Sequence, residues 1–269
     1  MKSITLSSGH EIPLIGTGTN TFGKVGYDYM GEINGDTTEI VSALNLGYRL
    51  VDTAIMYRNE SVVGKALREV DLPRESLFIT SKIPNDREYV ETDDAVRASI
   101  QGSLDALGLD YLDLYLIHHP WDNNADMLRV WRVLEKAVES GQIRSIGVSN
   151  FNNEQLSYLL EHSSIKPAVN QIESHPCNWQ DDWVEFAQKH QVAVEAWGPL
   201  KRIEDDALAV LREIGSRYQK SWAQVILNYQ ISRGVIVIPK SATPERQAQN
   251  LDLFDFELTE EERNTIKKL

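Results

Sequence analysis

The chain has 269 residues, 42% of them hydrophobic and 25% charged, which describes a globular protein long enough for a large core. Its 27 Lys and Arg face 40 Asp and Glu, and the formal net charge of -13 excludes a general nucleic-acid-binding surface, because phosphate backbones need clustered cations. The single cysteine, Cys177, excludes an intrachain disulfide and a cysteine-built zinc site. No apolar run approaches the ~18 residues of a membrane span, and the N-terminus lacks a signal-like apolar segment, so the expected compartment is the cytoplasm.

In chain order, "SITLSSGHEIPLI" predicts a small hairpin turned at Ser8 and Gly9, placed to plug one end of whatever follows. Strands are then predicted at 14–18, 48–53, 77–82, 112–118, 145–149, 168–173, 193–197 and 235–239. The intervening segments carry apolar residues at i, i+3 and i+4. "DTTEIVSALNLG" ends at Gly47, "TDDAVRASIQGSLDALG" opens with Thr92 as cap and stops at Gly108, and "ADMLRVWRVLEKAVESG" ends at Gly141. Such βα units of ~30 residues, with no linker between them, predict one domain over 1–269, an α/β chain folded as a (β/α)8 TIM barrel whose bottom the hairpin closes. A doubly wound sheet would carry a G-x-G-x-x-G turn after its first strand, and "IGTGTNTFG" lacks that spacing. The Gly-rich segment 23–36 is expected to lie over the catalytic face.

Polar residues recur where the strands end. Asp52 closes the second, Lys82 the third, His118 the fourth, and Ser149 and Asn150 the fifth; Gln171 lies near the end of the sixth, Trp197 ends the seventh and Lys240 follows the eighth. Each alone reads as a cap or a satisfied polar group. On a barrel, all would gather at one rim, where active sites lie. The run "LDLYLIHHPW" raises a further point, because side chains alternate along a strand. His118 shares a face with Leu114 and Leu116, and His119 with Tyr115 and Ile117. One imidazole is therefore expected in the barrel mouth and the other toward the helices or rim, a poor arrangement for one shared metal.

Taken together, "VDTAIMYRNE" (51–60), "ITSK" (79–82), "DLYLIHHP" (113–120), "IRSIGVSNF" (143–151), "AVNQIESHP" (168–176), "EAWGPL" (195–200) and "IPKSATPERQAQN" (238–250) resemble the aldo-keto reductase family in order and separation, over nearly the whole chain. The resemblance is nearest to small microbial members of the diketogluconate-reductase kind. It implies an NADPH-dependent reduction of aldehydes and ketones. Tyr57 matches the proton donor, with Lys82 expected to draw its phenol below the ordinary pKa of about 10. Asp52 would hold Lys82, and His118 would donate a hydrogen bond to the substrate carbonyl. Ser149, Asn150 and Gln171 would fix the nicotinamide amide and Trp197 would stack on its ring, with Thr19, Pro199 and Leu200 completing that end. Lys240, Ser241, Thr243 and Arg246 would take a 2′-phosphate, and Gln249 and Asn250 the adenine. The same stretch also reads as a helix start, with Thr243 as N-cap and Pro244 as first helical residue, and a helix N-terminus is itself an anion site. Thr243 stands where relatives often carry a second arginine, so NADP(H) is expected, with NAD(H) as the lesser alternative.

The substrate wall departs from the family pattern. Asn20, Pro84 and His119 occupy places where relatives usually carry aromatic residues, leaving Trp121, Tyr27, Tyr29 or Phe22 to refill the box from loops. Because the sequence ends at Leu269, no tail is expected over the site. The expectation is an open, polar pocket for small or hydroxylated carbonyl compounds, in a monomer without nucleic-acid or membrane partners. Two rival readings are an NADP(H)-binding sensor with little turnover, and a carboxylate-based hydrolase using Glu173 or Glu195 at the rim.

Overall fold

A computed structural model describes residues 2–269 of the chain. Strands β1 (Ser3–Thr5) and β2 (Glu11–Pro13) form the expected antiparallel hairpin, turned through Gly9, whose amide donates to the Leu6 carbonyl. Eight strands follow: β3 (Gly16–Gly18), β4 (Leu50–Asp52), β5 (Phe78–Ile83), β6 (Leu112–Ile117), β7 (Ile143–Ser149), β8 (Val169–Glu173), β9 (Ala193–Trp197) and β10 (Val235–Val237). All are parallel and lie in sequence order across the sheet. A parallel bridge pairs Ile15 with Val237, and the Val237 amide donates to the Leu14 carbonyl at 3.0 Å, so the first and last strands meet and the barrel closes.

Period-two alternation divides the strand residues between two cores. Leu50, Phe78, Leu114, Leu116, Val169 and Ile236 cluster inside with Leu6, Ile12 and Leu14 from the hairpin segment, which thereby plugs the bottom. Val51, Ile79, Tyr115, Ile117, Ile146, Val148 and Val194 face outward into the layer of helices. Emptying one floor position, as in Leu114→Ala, is expected to cost about 2–5 kcal/mol. Gly147 leaves no room for a side chain inside the barrel: a Cβ there would lie 2.6 Å from the Val169 carbonyl oxygen. Above the apolar floor, the same inward parity continues into Asp52, Lys82, Ser149, Gln171 and Glu195.

Helix boundaries follow the capping chemistry. The Thr92 hydroxyl accepts from the Ala95 amide to start the helix Asp93–Leu107, and Gly47, at φ 115, ends the helix Thr38–Leu46 in a conformation that strongly favours glycine. One boundary alters the site. β6 stops at Ile117, one residue earlier than expected, and His118 and His119 lie in a bend beyond it. Among the described residues no helix is long and apolar enough to cross a membrane.

Candidate active site

At the C-terminal rim, Lys82 is completely buried and uses all three ammonium hydrogens. Its Nζ donates to Asp52 Oδ1 at 2.6 Å, to the Thr53 carbonyl at 2.9 Å and to the Tyr57 hydroxyl oxygen at 3.2 Å. Burial opposes the charge on Lys82, yet Asp52 and Tyr57 outweigh it and hold the ammonium above its ordinary pKa. The second Asp52 oxygen accepts from Gln171 Nε2 at 2.8 Å. Tyr57 arrives on the short 3-10 turn Ile55–Tyr57. Because its oxygen already accepts from Lys82, its own proton remains to donate elsewhere.

The expected depression of the Tyr57 pKa is not what the structure has. Lys82 does pull the phenol down, but burial is the larger effect and Asp52 opposes Lys82, so the phenol is pushed up to about 12. It is a protonated donor at neutral pH. His118 is held down to about 2, first by burial and then by Lys82, and so carries no charge. Its ring meets Tyr57 edge-on at 5.7 Å, and its buried Nδ1 has no partner.

The paired histidines also differ from expectation. They do not take opposite faces; the rings stack 4.6 Å apart at 7°, and both line one cavity of about 470 Å³. Strand alternation no longer applies, because the chain has left β6 before His118. The Trp197 indole N–H can only donate, and it does so to Asn150 Oδ1 at 2.9 Å. That fixes the amide, so the two hydrogens on Asn150 Nδ2 face the His118 carbonyl and Ser149 Oγ, both at 3.1 Å, with His119 Nδ1 further off at 3.3 Å.

This cavity is also lined by Thr19, Asn20, Asp52, Tyr57, Ser149, Asn150, Gln171, Trp197, Pro199 and Leu200. A second cavity, about 490 Å³, adds Ser241, Thr243, Arg246, Gln249 and Asn250; Leu200 and Lys240 belong to both, so the two are ends of one cleft. Two predicted substrate residues are elsewhere. Pro84 is buried without lining the cleft, and Trp121 packs against the outer core. Phe22 is likewise core. Tyr27 reaches the second cavity, and Tyr29 from the segment 23–36 packs edge-on against Tyr57 at 6.1 Å. Thr243 stands at the N-cap of the helix Pro244–Leu251, but its side chain makes no capping bond; instead its amide donates to Ser241 Oγ. Lys201, which sequence reasoning missed, lines the first cavity with its ammonium 4.5 Å from the centre of the Trp197 ring. Its only sequence signal was a cation directly after "EAWGPL".

The cleft suits a bound dinucleotide. Among the described residues Lys201, Lys240 and Arg246 have no carboxylate at ion-pair distance, although acids outnumber bases along the chain. Burial and then Lys201 depress the Lys240 pKa, as expected of cations gathered without an anion. At the other end the Trp197 ring is partly exposed and pinned through its N–H.

A closed parallel barrel with buried Asp52 and Lys82 beneath a half-buried Tyr57, at the floor of a two-ended cleft, defines a carbonyl-reducing oxidoreductase. The aldo/keto reductase family profile matches residues 14–269. A glyoxal reductase of Bacillus subtilis is 40% identical over 99% of this chain and 92% of its own length. An aldo/keto reductase structure from Brucella melitensis superposes with a TM-score of 0.90 at 38% identity, covering 99% of this chain and 98% of that one. A Bombyx mori aldo-keto reductase solved in complex with NADP gives 0.88 at 38% identity, covering 99% and 92%. The chain belongs to the aldo/keto reductase family.

Proposed function

We propose that the protein reduces small, oxygen-rich aldehydes and ketones to alcohols with NADPH, with Tyr57 delivering the proton. One observation carries the assignment of roles: Lys82, saturated by Asp52, Thr53 and Tyr57, donates to the phenol oxygen and leaves the phenol proton facing the cleft. When bound, the reduced nicotinamide supplies a hydride to the carbonyl carbon. Negative charge then grows on the carbonyl oxygen, where the Tyr57 hydroxyl and neutral His118 are the available donors. As the phenol gives up its proton, the adjacent ammonium stabilises the phenolate that remains.

Asn150, Ser149 and the Gln171 carbonyl would hold the nicotinamide amide, since both Gln171 amide hydrogens are engaged by Asp52 and Glu195. Trp197 would take the ring. Lys240, Ser241, Thr243 and Arg246 would hold the 2′-phosphate, which favours NADP(H) over NAD(H). Relatives named as reductases of glyoxal and of methylglyoxal support a small oxygenated substrate. So does the polar wall of Asn20 and His119, which offers an amide and an imidazole to an oxygen next to the reacting carbonyl. The chain would work as a single barrel domain, a monomer in the cytoplasm. NADPH oxidation followed at constant pH with small aldehydes, ketones, dicarbonyls and sugars tests this reading. Tight NADPH binding with no turnover on any of them would favour the sensor reading instead.

A further inference from the structure

Glu195 stands directly beside the relay yet takes no part in the chemistry above. It is fully buried on β9, level with Gln171 on β8 in the strand register. The single amide nitrogen of Gln171 donates to both Asp52 Oδ2 and Glu195 Oε1, so two buried carboxyl groups are joined through one bridging side chain. Only one cation serves them. Lys82 is committed to Asp52, Thr53 and Tyr57, and no ion pair reaches Glu195 among the described residues. Glu195 Oε2 is buried with no hydrogen-bond partner. An unpartnered buried oxygen is far less costly on a neutral acid than on an anion, and two like charges this close to one ammonium oppose each other.

We propose that Glu195 is a positioning residue for the Asp52–Lys82–Tyr57 relay: as the neutral acid it holds the Gln171 amide against Asp52, and its ionisation places a second negative charge beside Lys82. The groups acting on it from other elements are Asp52 on β4, Lys82 on β5 and Gln171 on β8. Burial, then Asp52, push its carboxyl up to about 8, with Lys82 and Gln171 opposing. Ionisation at mildly alkaline pH offsets part of the Lys82 charge, makes Tyr57 a weaker acid and slows proton delivery. The inference rests on the proposed role of Tyr57, but half of its test does not.

The test uses Glu195→Gln, which keeps the acceptor for Gln171 and cannot ionise. Without substrate or cofactor, the infrared difference spectrum of wild type minus E195Q near pH 6 should contain a protonated carboxylic-acid band that is lost by about pH 10. With NADPH and a reducible aldehyde, wild-type kcat should fall between about pH 7 and 10, by at most about tenfold for each pKa unit by which the new charge perturbs Tyr57. E195Q should lack that fall, while Glu195→Asp should retain one. A difference spectrum with only carboxylate bands at pH 6 would overturn the proposal, and so would an E195Q pH profile that superimposes on wild type. If no carbonyl is reduced by the wild type, the role of Tyr57 fails by itself, and the infrared band still decides the state of Glu195.

Discussion

The two ends of the cleft are built on opposite principles. At the catalytic end the polar groups largely satisfy one another: Lys82 has three acceptors, Asp52 uses both oxygens, and Asn150 is engaged by Trp197 on one side and the histidines on the other. At the far end Lys240 and Arg246 have no carboxylate at ion-pair distance among the described residues, and the Thr243 hydroxyl caps nothing. A preorganised donor set stabilises charge that appears during reaction without having to reorient, so it belongs where the barrier is. Unpaired cations attract an anion that is already charged before binding, so they belong where affinity is set. Changes at the first end should therefore lower kcat, and changes at the second should raise KM for the cofactor.

The largest effect is expected at Tyr57. Tyr57→Phe should reduce kcat by about 10²–10⁴-fold, the usual worth of general acid-base catalysis, while cofactor affinity measured by fluorescence quenching changes only a few-fold. Retention of a tenth of wild-type turnover would put the proton donor elsewhere. Next, His118→Ala removes a donor aimed at the growing oxyanion and should lower kcat by about 10²–10³-fold. The reverse pattern, loss in His119→Ala with His118→Ala active, would exchange the roles of the stacked pair.

Crossing to the far end, Arg246→Ala should weaken NADPH roughly 10- to 150-fold, as for loss of a charge-assisted contact of about 1.5–3 kcal/mol, and leave NADH nearly untouched. Its kcat at saturating NADPH should hold, and added salt should weaken wild-type NADPH binding, because exposed charges are screened. Equal loss of both cofactors would make Arg246 structural and erase the contrast between the ends. A smaller effect is expected for His119→Trp, a few-fold shift of KM toward apolar carbonyls with kcat retained. Unchanged substrate preference would remove His119 from the substrate wall.

His118 also links the catalytic end to stability. Its pKa falls from an ordinary 6.5 to about 2 on folding, so below the ordinary value the unfolded chain binds a proton that the folded one refuses. Its contribution is present above about pH 6.5 and is lost as pH falls toward 2. The slope is at most about 1.4 kcal/mol per pH unit. Denaturant melts at several pH values should show that slope in wild type and a shallower one in His118→Asn. Parallel slopes would mean His118 accepts a proton in the folded state.

Much of this molecule was legible in one dimension. Alternating apolar runs, the Thr92 cap and the Gly47 stop are local in origin, because backbone hydrogen bonding and side-chain periodicity act over a few residues. The parity that turns Asp52, Lys82 and Gln171 inward is local too, once each strand is recognised. Tertiary structure decided what those residues do to one another. Tyr57 was expected to be a depressed phenol, and burial by the rest of the barrel outweighs Lys82 and raises it. His118 and His119 were placed on opposite faces by alternation, and a bend one residue earlier stacks them. Pro84 and Trp121 stand near the site in sequence and outside it in space; of the loop aromatics offered for the wall, Tyr29 packs on Tyr57 and Phe22 is core, and Lys201 comes in from a loop whose path no pattern encodes. Glu195 read as a rim carboxylate suited to a hydrolase until Gln171, on the neighbouring strand, joined it to Asp52. Local periodicity fixes which way a side chain points; desolvation and charge pairing depend on everything that surrounds it, and only the closed barrel brings that together.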